Sequence, residues 1–127
     1  MIASRRQDAR VVEARETGGT GLESRRLVDH VSFSDEKMKK NPLFDSPNLF
    51  YDAYCLLPGQ SQKVHSHDGS DKVYFVVRGA GHFTVGEEEA DLTEGNAVIA
   101  RAGVPHGVRN DSADDLVLLV TMAPRPS

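Results

Sequence analysis

The chain has one cysteine and no tryptophan. A lone Cys55 excludes an intramolecular disulfide and every CxxC zinc or redox motif. In its apolar setting the thiol is expected as a small buried side chain. Basic residues are in the minority, 15 Lys and Arg against 19 Asp and Glu, for a formal net charge of −4. With only 6% aromatic residues, the chain lacks the basic stripe and stacking surface of a nucleic-acid-binding protein. No apolar run approaches the ~20 residues that span a bilayer. The opening MIASRRQDARVVEARE has neither the apolar segment nor the cleavage pattern of a secretory signal. No nucleic acid, no membrane and a cytoplasmic location are the corresponding expectations.

What is present is enough for one disulfide-free core in 127 residues. Residues 1–24 are rich in charge and glycine, with only Val11 and Val12 offering much to bury. They are expected as an arm, either disordered or laid over a neighbouring subunit. Residues 5–16 offer a thin helical stripe, and TGGTG at 17–21 reads as a flexible link. Residues 25–127 are expected to form a single β domain. RRLVDHVSF suits a first strand. A short helical turn is expected near residues 35–40, with Ser34 as cap, Asp35 and Glu36 at its start, and Asn41-Pro42 ending it.

After the Ser46-Pro47-Asn48 turn, LFYDAYCLL has the aromatic content of a strand. QKVHSH, KVYFVVR, GHFTVG, EEADL, NAVIAR, HGVRN and LVLLVTMA read as further strands, broken by glycine-bearing turns. Many short strands with little helix make a small β-sandwich or barrel. KVYFVVR is apolar on both faces, Tyr74 and Val76 on one, Val73, Phe75 and Val77 on the other. Such a strand needs a cover beyond its own barrel interior. A second subunit would supply it, making a homodimer; the alternative is that residues 25–50 fold back over it.

His65 and His67 flank Ser66, so in an extended strand both imidazoles point to one face. Alone, such a pair is a weak signal. A third histidine, His106, lies in a second glycine-bearing stretch, GNAVIARAGVPHGVRN. Imidazole suits borderline divalent metals such as zinc, iron, nickel and copper. His82 and His30 lie in neither stretch and read as structural, and Asn110 as a loop-fixing residue.

These two stretches resemble the paired motifs of the cupin superfamily. The first motif is matched by Gly59, five residues, His65-Ser66-His67, four residues, Lys72, six residues and Gly79. The second is matched by Gly95, five residues, Arg101, Ala102, Gly103, two residues, His106, three residues and Asn110. The resemblance implies an all-β, antiparallel cupin-type barrel or jelly-roll sandwich with a pocket at its mouth. It also implies a divalent transition metal (Fe, Zn, Mn, Ni or Cu) and a small-molecule ligand.

Two positions depart from the family pattern. Lys72 stands where a glutamate ligand is usual, and Arg101 where proline is usual. Arg101 can turn into the pocket to grip a substrate carboxylate. Because a protonated amine cannot ligate a metal, three arrangements stay open. His65, His67 and His106 hold the metal alone; Asp71 joins them, which needs a bulge, since it is one residue early; or no metal binds and Lys72 acts as base, Schiff-base amine or anion anchor. Lys72 and Tyr74, on one strand face, are the candidate catalytic groups. Pairing of Lys72 with Asp68 or Asp71 and core packing of Tyr74 are the plainer alternatives. Cupins span dioxygenases, isomerases, lyases and non-catalytic binding proteins, so enzyme and binding module both remain as expected functions.

Overall fold

The computed structural model describes residues 21–126. The helical stripe at 5–16 and most of the expected arm therefore lie outside the described residues. Nine strands run through the described chain: β1 (Lys39–Ser46), β2 (Leu49–Leu56), β3 (Ser61–His65), β4 (Asp71–Arg78), β5 (Ala80–Val85), β6 (Glu88–Thr93), β7 (Ala97–Ala100), β8 (His106–Arg109) and β9 (Leu116–Ala123). They make two antiparallel sheets, ordered β1-β2-β9-β4-β7 and β3-β8-β5-β6. Every strand read from LFYDAYCLL onward is present, close to its expected bounds.

The core lies between the sheets. Tyr54, Leu56, Tyr74, Val76, Leu116, Leu118 and Val120 from the five-stranded sheet meet Phe83 and Val108 from the four-stranded one. Each Leu or Val so buried contributes about 1.5–3 kcal/mol relative to exposure. The period-2 alternation of β4 turns Lys72, Tyr74 and Val76 inward and leaves Asp71, Val73 and Phe75 outside. That alternation sends a lysine into the core.

The N-terminal third differs from expectation. Residues 25–33 form no strand; Leu27–His30 is a short 3-10 turn, and Leu27, Val31 and Phe33 pack on the outer face of the five-stranded sheet over Leu43, Ala53, Cys55 and Val117. The helical turn thus falls at 27–30 and not at 35–40. β1 instead starts at Lys39 and runs through Asn41-Pro42. Pro42 is accommodated because β1 is an edge strand with a bulge between Pro42 and Phe44, where a missing N–H costs nothing. Asn41 pins the overlying segment, its Nδ2 donating to the Ser32 carbonyl at 3.2 Å and contacting the buried Cys55 Sγ at 3.6 Å.

This folded-back segment covers Val77, but only part of the outer face of β4. Val73 and Phe75 remain 37% and 39% exposed beside Ile99 of β7. At Gly79 the chain leaves one sheet for the other. Its φ of +91° suits glycine, and a Cβ there would run into the Asp115 carbonyl.

Candidate metal centre

The pairing of β3 with β8 places His65 directly opposite His106. His67 follows two residues beyond the end of β3, and its ring centre is 5.0 Å from that of His65. The ring centres of His65 and His106 are 4.5 Å apart. One nitrogen from each of the three histidines lies within 4.8 Å of the others. Lys72 and Tyr74 face this group from β4 of the opposite sheet, the Tyr74 ring centre 6.3 Å from that of His106.

Hydrogen bonding fixes which nitrogens are offered. The Nδ1–H of His65 donates to the Lys63 carbonyl at 2.8 Å, and the Nδ1–H of His106 to the Val104 carbonyl at 2.9 Å. A carbonyl only accepts, so each ring keeps its proton on Nδ1 and presents an unprotonated Nε2. Nδ1–H to backbone carbonyl is the usual outer support of a metal-bound imidazole. His106 is 1% exposed, and its Nε2 is buried with no partner among the described residues. Burial first, then the charge of Lys72, holds all three histidines below their ordinary pKa, despite the backbone bond that opposes it in His65 and His106. Neutral imidazoles around one point are the donor set of a divalent metal.

A bulge builds the polar floor of the site. Between Gln62 and His65 the β3–β8 register shifts, so Gln62 pairs with Val108 while His65 pairs with His106. Three residues apart, these two side chains would face opposite ways in a regular strand; the extra residue brings both inward. Gly107 makes room for it, since a Cβ there would sit 2.8 Å from the Gln62 carbonyl oxygen and 3.0 Å from the Val64 nitrogen. Gln62 Oε1 then accepts from Lys72 Nζ at 3.2 Å and from the Tyr74 hydroxyl at 3.0 Å. Gln62 is not among the residues singled out in the sequence, because strict alternation from His65 points it away from the site.

Lys72 is 1% exposed, and its amine lies 5.2 Å from the ring centres of both Tyr54 and Tyr74. Burial, then repulsion by Lys40, pulls its pKa down to about 7, with Asp52 opposing. Burial likewise raises the pKa of Tyr74, which keeps that phenol neutral and a donor to Gln62. Asp71 lies outside the histidine group. No register shift interrupts β4 at Asp71–Lys72, so Asp71 faces away, and its Oδ1 accepts the Ala102 N–H at 2.8 Å. Gly103 N–H donates to the His67 carbonyl at 2.8 Å, so this loop braces His67. Arg101, in the same loop, is exposed.

The remaining histidine and asparagine assignments are structural. His82 holds Asp91 on Nδ1 at 2.8 Å and Glu89 on Nε2 at 2.6 Å, on the outer face of the β5–β6 hairpin. Asn110 is fully buried and donates to the carbonyls of Leu56 and Asp114 at 3.0 and 2.8 Å while accepting from Ser112.

Two facing antiparallel sheets with a histidine cluster at one end of their interior define a cupin-type barrel. The chain belongs to the cupin-domain family, whose model matches residues 53–122. The structure of TT1209 from Thermus thermophilus is similar, with 53% identity and a TM-score of 0.81 over 83% of this chain and 100% of that one. An uncharacterised protein of Streptomyces coelicolor is 39% identical over 79 residues, 61% of this chain and 72% of its own length. The oxalate-binding protein of Thermotoga maritima is 27% identical over 67 residues, 53% of this chain and 55% of its own length.

Proposed function

We propose that His65, His67 and His106 hold one divalent transition metal ion and that the protein uses it on a small acidic molecule. The observation that carries this is the buried Nε2 of His106, without a partner among the described residues, in a ring grouped with two further imidazoles. Burying such an acceptor unpaired costs about 1–3 kcal/mol, which a metal bond offsets. A metal so bound, with positions open, supplies Lewis-acid polarisation of an oxygen function or activation of a small oxygen species. Both dioxygenase-type and isomerase- or lyase-type chemistry use such a centre.

The chain's own groups support an acidic ligand. Lys72 and Lys40 flank the site, and Asp52 is the carboxylate set against them. Burial raises the pKa of Asp52, which weakens it as a counter-charge. The 27%-identical relative that binds oxalate is consistent with that charge balance. Lys72, held by Gln62, contributes an amine able to hold or release a proton near neutrality, and Tyr74 a neutral hydroxyl. Arg101, exposed on the loop that braces His67, is the candidate group for meeting the ligand from outside.

A second reading, a binding module without turnover, draws on Lys72 itself, which replaces the carboxylate ligand usual in the family. In either case a second copy of the chain is the cover we assign to Val73, Phe75 and Ile99. Metal analysis of protein purified without a polyhistidine tag tests the centre. One equivalent of metal, lost in His106→Ala, is expected; metal-free protein after exposure to zinc, iron and manganese would sink the proposal. Turnover of a small carboxylic acid by the metal-loaded protein separates enzyme from binding module.

A further inference from the structure

The proposed centre is short of negative charge. Three neutral imidazoles contribute no charge against a dication, Lys40 adds to the positive side, and the carboxylates that act on the group are Asp52 toward Lys72 and Asp68 toward His67. Lys72 stands at the place of an anionic ligand, yet its amine is bound to a neutral amide oxygen and lies against two phenol rings. It is 1% exposed, so it is not serving as a solvated surface charge. A buried ammonium without a carboxylate partner is costly, and a lysine so placed readily becomes a neutral, nucleophilic amine. The depressed pKa, about 7, agrees with that environment.

We propose that Lys72 is a carbamylation site whose carbamate supplies the anionic oxygen ligand that the three-histidine centre lacks. The lone pair of the neutral Nζ attacks the carbon of carbon dioxide and forms an N–C bond. One C=O π pair becomes a carboxylate lone pair, and a proton leaves Nζ for water. The products are an N-carboxylated lysine and a proton, with no oxidant or reductant involved. The modification converts a repelling cation into an oxygen donor of the kind that hard and borderline divalent metals accept. It places that donor on the inward face of β4, opposite the histidines of β3 and β8. The phenols of Tyr54 and Tyr74 and the amide of Gln62 are the polar groups surrounding it.

The ligand role rests on the three-histidine reading, whereas the covalent step is testable without it. Full-length protein carrying nitrogen-15 lysine is equilibrated with carbon-13 bicarbonate, with and without zinc. A carbamate carbon coupled directly to one lysine nitrogen, absent in Lys72→Met, is the expected result. No such signal in either condition overturns the modification. Zinc affinity is then measured in carbon-dioxide-depleted buffer and with bicarbonate restored. An added ligand is expected to tighten binding at least about tenfold, the low end of what even an outer partner contributes. Lys72→Glu is expected to bind independently of bicarbonate. A coupled carbon signal with bicarbonate-independent affinity overturns the ligand role and keeps the modification. Absence of zinc binding in both buffers defeats the three-histidine centre, and the carbon-13 measurement still decides the carbamate.

Discussion

Lys72 Nζ lies 3.2 Å from Gln62 Oε1, so the buried amine of β4 is held by a neutral amide. Its pKa near 7, against 10.5 ordinarily, ties stability to pH. Below about 7 the group is protonated in both states. Between about 7 and 10.5 the unfolded chain keeps the proton and the folded one does not, so stability rises with pH across that window. In metal-free, carbon-dioxide-depleted protein, Lys72→Met is expected to be more stable than the parent at pH 6, by roughly 1–4 kcal/mol. The advantage should shrink toward pH 10. Denaturant titrations at both pH values check this, and an equal difference at both would contradict it.

His82 behaves oppositely. Hydrogen bonds to Glu89 and then Asp91 raise its pKa above 6.5, with Arg109 opposing. The contribution is full below pH 6.5 and is lost as pH rises through the raised value. Thermal melts of His82→Gln and parent should diverge at pH 5.5 and converge at alkaline pH. The pairs are near solvent, so added salt should narrow the gap.

Asn110 ties the strand end before Pro58 to the loop before β9 through the Leu56 and Asp114 carbonyls. Asn110→Ala removes the side-chain bonds to the Leu56 and Asp114 carbonyls and to Ser112 at a fully buried position, and is expected to destabilise by about 2–4 kcal/mol. Zinc affinity of the folded fraction should be unchanged, because Asn110 touches none of the three histidines. A selective loss of metal with unchanged stability would contradict the structural role.

Phe75 is 39% exposed beside Val73 and Ile99. If a second copy covers them, Phe75→Glu should shift the chain to monomer in sedimentation analysis without loss of strand signal. A parent already monomeric at high micromolar concentration would end the homodimer expectation.

Periodicity carries most of the strand pattern. From Leu49 onward, short alternating or apolar segments between turn-forming residues become β2 to β9, because alternation and turn chemistry are local and act the same way wherever the strand is placed. The N-terminal third departs from expectation where local signals compete. Ser34-Asp35-Glu36 looks like a helix cap, but Met38, Leu43 and Phe44 are drawn into the sheet and its outer cover. Pro42 reads as a terminator until it is known to sit on an edge.

The site divides the same way. His65, His67 and His106 are legible as a group because their spacing relative to the flanking glycines resembles the paired cupin motifs, and the two antiparallel partners set His65 across from His106. That Lys72 and Asp71 face opposite ways also follows from alternation, since β4 is regular over its first six residues. Gln62 does not follow, although it holds both Lys72 and Tyr74. Its direction depends on a bulge, and the bulge depends on Gly107 of another strand having no side chain to obstruct it. Which histidines gather, and that an amine stands where cupins usually carry a carboxylate, follows from the chain through its resemblance to that family. What holds that amine emerges only once β3 and β8 are paired. A one-residue shift belongs to the pair of strands and to neither one, and it reverses the facing of every residue on one side of it.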